Sequence, residues 1–325
     1  MSKVKWGIWA TGDICHDFAK SMEQAQNGEV VAVLSRSEEN AKKFAGEFGI
    51  PKYYADAEAF LNDQEIDVVY VGTPSGYHHD NVLQCCRAGK NVLCEKPAGV
   101  NAQEVEEMVA AAQAADVFFM EGVWTHFFPA VLKAREWIDT GKIGRVKRVN
   151  VEFNIKAIPS GWRLKAPEGG GALLDVGIYC LTICSFAFGL KPSLTKSIAL
   201  MENGVDTAES VIMQYEPDQI ASFSCAFDCK NDHVAVISGD AGYITIDDKF
   251  WRPSSAKLFQ YDDDPRDSSL VDSYDQQFVS KGFQFEAEHV GRCILEGKKQ
   301  SDLIPWQKSL DLSNLMDALR SEWGK

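Results

Sequence analysis

Val4-Lys5-Trp6-Gly7-Ile8-Trp9-Ala10-Thr11-Gly12-Asp13-Ile14-Cys15 is the stretch whose reading decides the fold. An apolar run, Val4–Ala10, meets Gly12. Ile14, Phe18 and Met22 then recur at helical spacing. A strand that turns through glycine into a helix opens a dinucleotide-binding fingerprint. Glycines there allow a tight turn, close approach of a pyrophosphate and close helix packing. Only Gly12 matches the G-x-G-x-x-G/A spacing; Ala10 and Cys15 hold the outer positions. Taken alone, the motif also suits an ordinary strand–turn–helix.

The context strengthens it. Val30–Leu34 reads as a second strand, and Ser35 with Glu38 has capping-box spacing for a helix through about Phe48. Asp67–Gly72 reads as a buried strand followed by Thr73-Pro74. A helix around Asp80–Ala88 stops at Gly89. Asn91–Cys94 ends in Glu95-Lys96-Pro97, Asn101 and Glu104 cap the next helix, and Val117–Met120 closes the series. Short apolar strands alternating with helices predict a parallel sheet covered on both faces, with ligands beyond the carboxyl ends of the strands. That edge gathers Ala10, Thr11, Gly12, Asp13 and Ile14, then Ser35 and Arg36, then Thr73, Pro74 and His78, and finally Glu95 and Lys96. The second strand selects among dinucleotides. An NAD site wants a carboxylate there for the ribose hydroxyls. Leu34-Ser35-Arg36-Ser37 offers a guanidinium between hydroxyls instead, which suits the 2′-phosphate of NADP.

After about Gly122 the periodicity changes to alternation, over Val146–Asn154, Glu209–Tyr215, Ile220–Cys229, His233–Ser238 and Tyr243–Asp247. Gly239-Asp240-Ala241-Gly242 reads as a hairpin turn. Trp306–Trp323 reads as a terminal amphipathic helix that can pack back onto the first domain. The expected domains are residues 1–122, binding the cofactor, and 123–325, binding substrate and serving dimerisation.

The 325 residues are 45% hydrophobic and 25% charged, ordinary for a folded chain of about two domains. A formal net charge of −14 argues against nucleic acid or an anionic bilayer as partner. No apolar run reaches the ~18 residues of a membrane helix, and the N-terminus enters a strand without a signal-peptide pattern. Nine cysteines without C-x-x-C, two of them adjacent, suit reduced thiols and a cytoplasmic location. Cys225, Cys229 and His233 have metal-ligand chemistry but sit in a strand-like run, and no metal is expected there.

Lys96, at the ligand-facing end of a strand, can orient a substrate hydroxyl and favour ionisation of a nearby acid. Gly169-Gly170-Gly171-Ala172-Leu173-Leu174-Asp175-Val176-Gly177-Ile178-Tyr179 opens a helix to about Phe188. Asp175 and Tyr179, four apart, share one face there. A carboxylate beside a phenol serves proton transfer; a tyrosine in a helix interface would show the same spacing.

These motifs, with Tyr70-Val71-Gly72-Thr73, Val92–Pro97, Trp124-Thr125-His126-Phe127-Phe128-Pro129 and Gly170–Cys180, resemble the Gfo/Idh/MocA oxidoreductase family along the whole chain. They are most similar to its dihydrodiol/xylose dehydrogenase branch. The resemblance implies an α/β fold, with an N-terminal Rossmann domain and a C-terminal α/β domain whose sheet is open and mainly antiparallel. It implies NADP-dependent hydride transfer to or from a hydroxyl or carbonyl of a small sugar, polyol or cyclic dihydrodiol. It makes Lys96 and Tyr179 the catalytic pair, with Asp175 tuning them or holding substrate. Trp162 and Arg163 look like the family's pair near the cofactor. Trp124, His126, Phe127 and Phe153 become candidate substrate-binding residues, although the branch has Arg at the position of His126. A homodimer through the C-terminal sheet is the implied assembly. A sugar reductase of the same family and a non-catalytic NADP(H)-binding sensor remain open.

Overall fold

The computed structural model describes residues 3–156, 161–165, 169–247 and 249–323. The chain forms two compact units. One combines Met1–Val123 with Val279–Ser313; the other combines Trp124–Phe278 with Asn314–Lys325.

The first unit begins β1 (Val4–Trp9), α1 (Asp13–Met22), β2 (Gly28–Leu34), α2 (Glu38–Phe48), β3 (Lys52–Tyr54) and α3 (Ala57–Leu61). It continues through β4 (Val68–Val71), α4 (His78–Arg87), β5 (Asn91–Glu95), α5 (Ala102–Ala114) and β6 (Phe119–Gly122). The strands form one parallel sheet in the order β3-β2-β1-β4-β5-β6. This is the doubly wound order whose direction reverses beside β1. All four residues of β4 are buried. Each fully buried valine contributes roughly 1.5–3 kcal/mol of burial. The C-terminal ends align: Leu34 pairs with Trp9, Trp9 with Val71, and Val71 with Cys94. The residues that follow these four therefore leave the sheet along one edge.

Two local expectations met different outcomes. Asn101 caps α5 by accepting from Glu104 N at 2.9 Å. The cap of α2 is Ser37, which accepts from Asn40 N, rather than Ser35. The Ser35 hydroxyl is taken by Thr11 Oγ1 at 3.3 Å and by the N–H of Ser37.

The second unit contains α6 (Pro129–Asp139), β7 (Val146–Asn154), α7 (Ile178–Phe188), β8 (Leu194–Glu202), β9 (Val205–Gln214) and β10 (Ile220–Ala226). It then adds β11 (Ala235–Gly239), β12 (Gly242–Ile246), β13 (Ser255–Tyr261) and β14 (Ser268–Asp275). Its eight strands run β14-β13-β12-β11-β7-β10-β9-β8, antiparallel except for the β7–β10 pair. Val149, Val151, Phe153, Val211, Phe223 and Ile237 are buried. The other face leaves Ile198, Leu200 and Ile212 exposed.

The chain then returns to the first unit as α8 (Phe283–Leu295) and the first half of α9 (Trp306–Trp323). The sequence boundary at 122 thus separates the first crossing only; residues 279–313 belong with the parallel sheet. They close its β6 edge. Phe119 N donates to Lys299 O at 3.1 Å, and Trp306 Nε1 donates to Phe119 O at 2.9 Å.

Candidate active site

The turn after β1 carries the fingerprint. Ala10 has φ 131°, a backbone that L residues seldom adopt and that the usual glycine would take freely. The chain keeps a methyl group there at a cost of order 1–3 kcal/mol. Gly12 precedes α1, whose N-terminus has no side-chain cap, and a Cβ at Gly12 would meet nothing within 4 Å. Uncapped N–H groups in open space form an anion site, and the residues here fit a dinucleotide pyrophosphate. At the third fingerprint position, packing replaces glycine by an exchange. Cys15 projects from the helix to Gly72, where an added Cβ would lie 2.5 Å from Cys15 Sγ and 2.9 Å from Tyr70 Cε1. The glycine stands not in the helix but at the residue that follows β4.

At the end of β2, Thr11 and Ser35 bridge the first two strands. Arg36 is exposed, with no ion pair to a described residue, and no carboxylate occurs in Leu34–Ser37. After β4, Asn81 Nδ2 donates to Thr73 Oγ1 at 3.0 Å. His78 is buried, with Nδ1 2.8 Å from Pro97 O and Nε2 2.7 Å from Thr73 O. The two carbonyls favour a charged ring, but burial outweighs them and lowers its pKa. His78 therefore ties the turn after β4 to the turn after β5 and has no ring nitrogen left over.

Lys96 is half-buried at the end of β5, before a cis peptide to Pro97. Two buried carboxyls hold this turn. Glu95 accepts from Tyr70 Oη at 2.7 Å and from Lys96 N at 3.2 Å; Glu121 accepts from Ala98 N at 2.9 Å. Burial raises Glu95 to about 7 against the opposing hydrogen bond of Tyr70 and the charge of Lys96. Burial also raises Glu121, opposed by Ala98 N–H. Glu286 of α8 is fully buried, and neither carboxyl oxygen has a hydrogen-bond partner among the described residues. Burial, then the charge of Glu95, pushes its pKa well above the usual carboxylate range. No sequence motif marked Glu286. Its only signal was a glutamate on the apolar face of a helix.

In the second unit the glycine run leads into a π-helical turn, Leu173–Gly177, and then α7. The expected single α-helix is wider here, so Asp175 and Tyr179 are not one regular α-turn apart. Such turns recur at functional sites. Gly171 has φ 121°, and a Cβ there would lie 2.3 Å from Asp206 Oδ1. Its lack of a side chain lets Asp206 Oδ2 accept from Leu173 N at 2.6 Å. Asp175 pairs with Arg163, Nε to Oδ2 at 2.7 Å. The side chain of Trp162 lies outside the described residues.

Tyr179 is 8% exposed, with its ring 5.8 Å from Phe153. Phe153 stacks on Trp251 at 3.9 Å, and His233 stands edge-on to both. His233 Nε2 is 2.9 Å from Asn154 O, Cys225 Sγ donates a hydrogen bond to Glu209, and Cys229 is exposed. Trp251 was missed because it lies in an irregular turn without a motif. Trp124, His126 and Phe127 are all buried in one 3₁₀ turn. His126 stands edge-on to Phe186 of α7 at 4.9 Å, and Trp124 to Phe128 at 5.6 Å. Of the four candidate substrate-binding residues, Phe153 is the one whose ring is described beside Tyr179.

Residues 4–123 match the family described as oxidoreductase family, NAD-binding Rossmann fold, and residues 131–245 match the GFO/IDH/MocA C-terminal domain. The chain is 36% identical over 328 residues to trans-1,2-dihydrobenzene-1,2-diol dehydrogenase of Bos taurus, covering 99% of this chain and 97% of that one. The Mus musculus enzyme of that name is 37% identical over 330 residues, with the same shares. Among solved structures, a levoglucosan dehydrogenase in complex with NADH and L-sorbose superposes with a TM-score of 0.88 at 18% identity, covering 100% and 97% of the two chains. A 3-ketoreductase from Actinomadura kijaniata, in complex with NADP and TDP-benzene, superposes with 0.86 at 22%, covering 98% of each. The reversed strand order, the open turn at Gly12, the Glu95-Lys96-Pro97 turn and the full-length likeness have one reading: this chain belongs to the Gfo/Idh/MocA oxidoreductase family.

Proposed function

We propose that the protein is an NADP-dependent oxidoreductase acting on a hydroxyl or carbonyl of a cyclic dihydrodiol, small sugar or polyol. The observation that carries this is the full-length likeness to dihydrodiol dehydrogenases in a chain that places Lys96 at the ligand edge of its parallel sheet and Tyr179 in the first turn of α7.

Bound NADP supplies the hydride acceptor in oxidation and the donor in reduction. The uncapped start of α1, opened by Gly12, takes the pyrophosphate, and Arg36 with Ser35 takes the 2′-phosphate. In oxidation the substrate C–H bond loses its electron pair as hydride. Tyr179 accepts the hydroxyl proton, and a C=O forms. The family resemblance makes Lys96 the other member of the pair, whose ammonium would orient the substrate hydroxyl. Asp175, engaged by Arg163, is a positioning residue, and Phe153 with Trp251 offers an apolar surface beside the phenol. The exposed apolar residues Ile198, Leu200 and Ile212 support a homodimer through the open sheet face. Nine free cysteines, of which only Cys229 is exposed, support a reducing, cytoplasmic location.

The test is turnover on a panel of dihydrodiols and aldoses with NADP and with NAD, repeated on Tyr179→Phe. The variant keeps the ring but not the ionisable group. NADP affinity should survive while turnover falls by ~10²–10⁴, the usual worth of a general base. A stable Tyr179→Phe protein with normal turnover contradicts the assignment. Tight NADP binding with no turnover on any member of the panel favours a sensor.

A further inference from the structure

Away from the cofactor edge, three metal-binding side chains of the first unit meet at one point. His289 and Cys293 lie one turn apart on α8, and Asp302 comes from the segment before α9. One ligand atom from each lies within 4.8 Å of the others. His289 Nε2 is 3.4 Å from Cys293 Sγ and 3.5 Å from Asp302 Oδ1. A zinc ion with bonds of ~2.3 Å to sulfur and ~2.0–2.1 Å to nitrogen or oxygen, at tetrahedral angles, sets these edges at about 3.4–3.6 Å. The two separations from His289 Nε2 match those edges, and the third, from Cys293 Sγ to Asp302, is within 4.8 Å.

We propose that His289, Cys293 and Asp302 bind one divalent zinc ion, with water in the fourth position, as a structural link between α8 and the segment that leads into α9.

The donor set selects the metal. Thiolate and imidazole suit zinc, whereas magnesium and calcium take oxygen ligands. Thiolate and carboxylate together balance the ion's two charges. His289 and Cys293 are buried, and Ser301 Oγ lies 2.7 Å from His289 Nε2 while accepting from Leu303 N and Ile304 N. That hydroxyl stands at the ring nitrogen's lone pair, so zinc must displace it to reach Nε2. Burial first of all holds His289 down to about 4, which keeps the imidazole in its ligating form at neutral pH. Burial raises the Cys293 thiol, so binding must release its proton. The opposing charges are Arg292 and Lys298. Lys298 lies 3.9 Å from Asp302 but 2.8 Å from Glu296, its nearer partner.

The link would matter to the fold. The segment it fixes includes Lys299 and leads to Trp306, the two residues that close the β6 edge through Phe119.

The experiment uses the full, untagged chain, freed of metal by a chelator and titrated with cobalt(II). One equivalent should produce a thiolate-to-cobalt charge-transfer band that zinc displaces and magnesium does not. Zinc should raise the melting temperature. Cys293→Ser should abolish the band, and Cys229→Ser, at the exposed thiol, should keep it. Asp302→Asn changes an exposed side chain and leaves folding intact; it should weaken cobalt binding at least ~tenfold. Cobalt binding without the band, a band lost in Cys229→Ser but not in Cys293→Ser, or unchanged affinity in Asp302→Asn would each overturn the site.

Discussion

Gly72→Ala is a sharp test of the exchange that replaces the third fingerprint glycine. Gly72 does not have positive φ, so the backbone tolerates alanine, and reduced freedom of the unfolded chain alone would favour it by ~0.4–1 kcal/mol. The methyl, however, would sit 2.5 Å from Cys15 Sγ and 2.9 Å from Tyr70 Cε1. Neither neighbour yields easily. Cys15 is fully buried; Tyr70 is stacked on Phe18 at 3.7 Å and bonded to Glu95. Overpacking of this kind costs ~1–3 kcal/mol, which leaves a net loss of about 1–2 kcal/mol and a melting temperature lowered by ~2–8 °C. Removing the sulfur in Cys15→Ala takes away the closest clash. In that background the same Gly72→Ala change should cost at least ~1 kcal/mol less. Urea unfolding of the four proteins in the cycle measures the coupling. Additivity within ~0.5 kcal/mol would refute the exchange.

Arg36→Ala should weaken NADP by roughly ten- to hundredfold, the worth of a charge-assisted contact of ~1.5–3 kcal/mol, and leave NAD unchanged; fluorescence titration with both cofactors checks it. Burial opposes ionisation of Asp63, but hydrogen bonds from Lys52, Glu65 N and Tyr54 win and lower its pKa to about 2. Its folded pKa is depressed, so its stabilisation is present above the unfolded value of ~3.9 and fades as pH falls towards 2. The stability deficit of Asp63→Asn, measured by urea unfolding, should therefore shrink below about pH 4. Ile198, 75% exposed on the sheet face, should be needed for self-association. The parent chain should sediment as a dimer and Ile198→Asp as a monomer.

The parts legible in the sequence were those whose burial leaves a periodic trace. The strands at Val4, Val68 and Asn91 are short apolar runs because both faces of a parallel sheet are covered, and Val146–Asn154 alternates because one face is. β14 escaped because nearly all of Ser268–Asp275 is exposed; pairing with β13 makes it a strand, and pairing leaves no hydrophobic pattern. β3, three residues long, is too short for periodicity. Candidate site residues were legible where a motif concentrates chemistry-bearing types, as at Lys96 and Tyr179. Trp251 and Glu286 were not, since only tertiary packing sets one against Phe153 and buries the other beside Glu95. His126, a substrate-binding candidate on the resemblance, is buried with its ring edge-on to Phe186, a neighbour that its motif does not reveal.

The return of residues 279–313 to the parallel sheet bears on how the chain is made. A ribosome releases β1 to β6 long before Lys299 and Trp306, so the N–H and C=O of Phe119 wait without their final partners through the synthesis of most of the second unit. An open β6 edge is a template for pairing with other chains. The nascent protein is thus most prone to aggregate between the completion of β6 and the emergence of α9. A fragment ending at residue 123 would carry that exposure permanently. One in which 279–313 is rejoined to residues 1–123 by a linker should remove it.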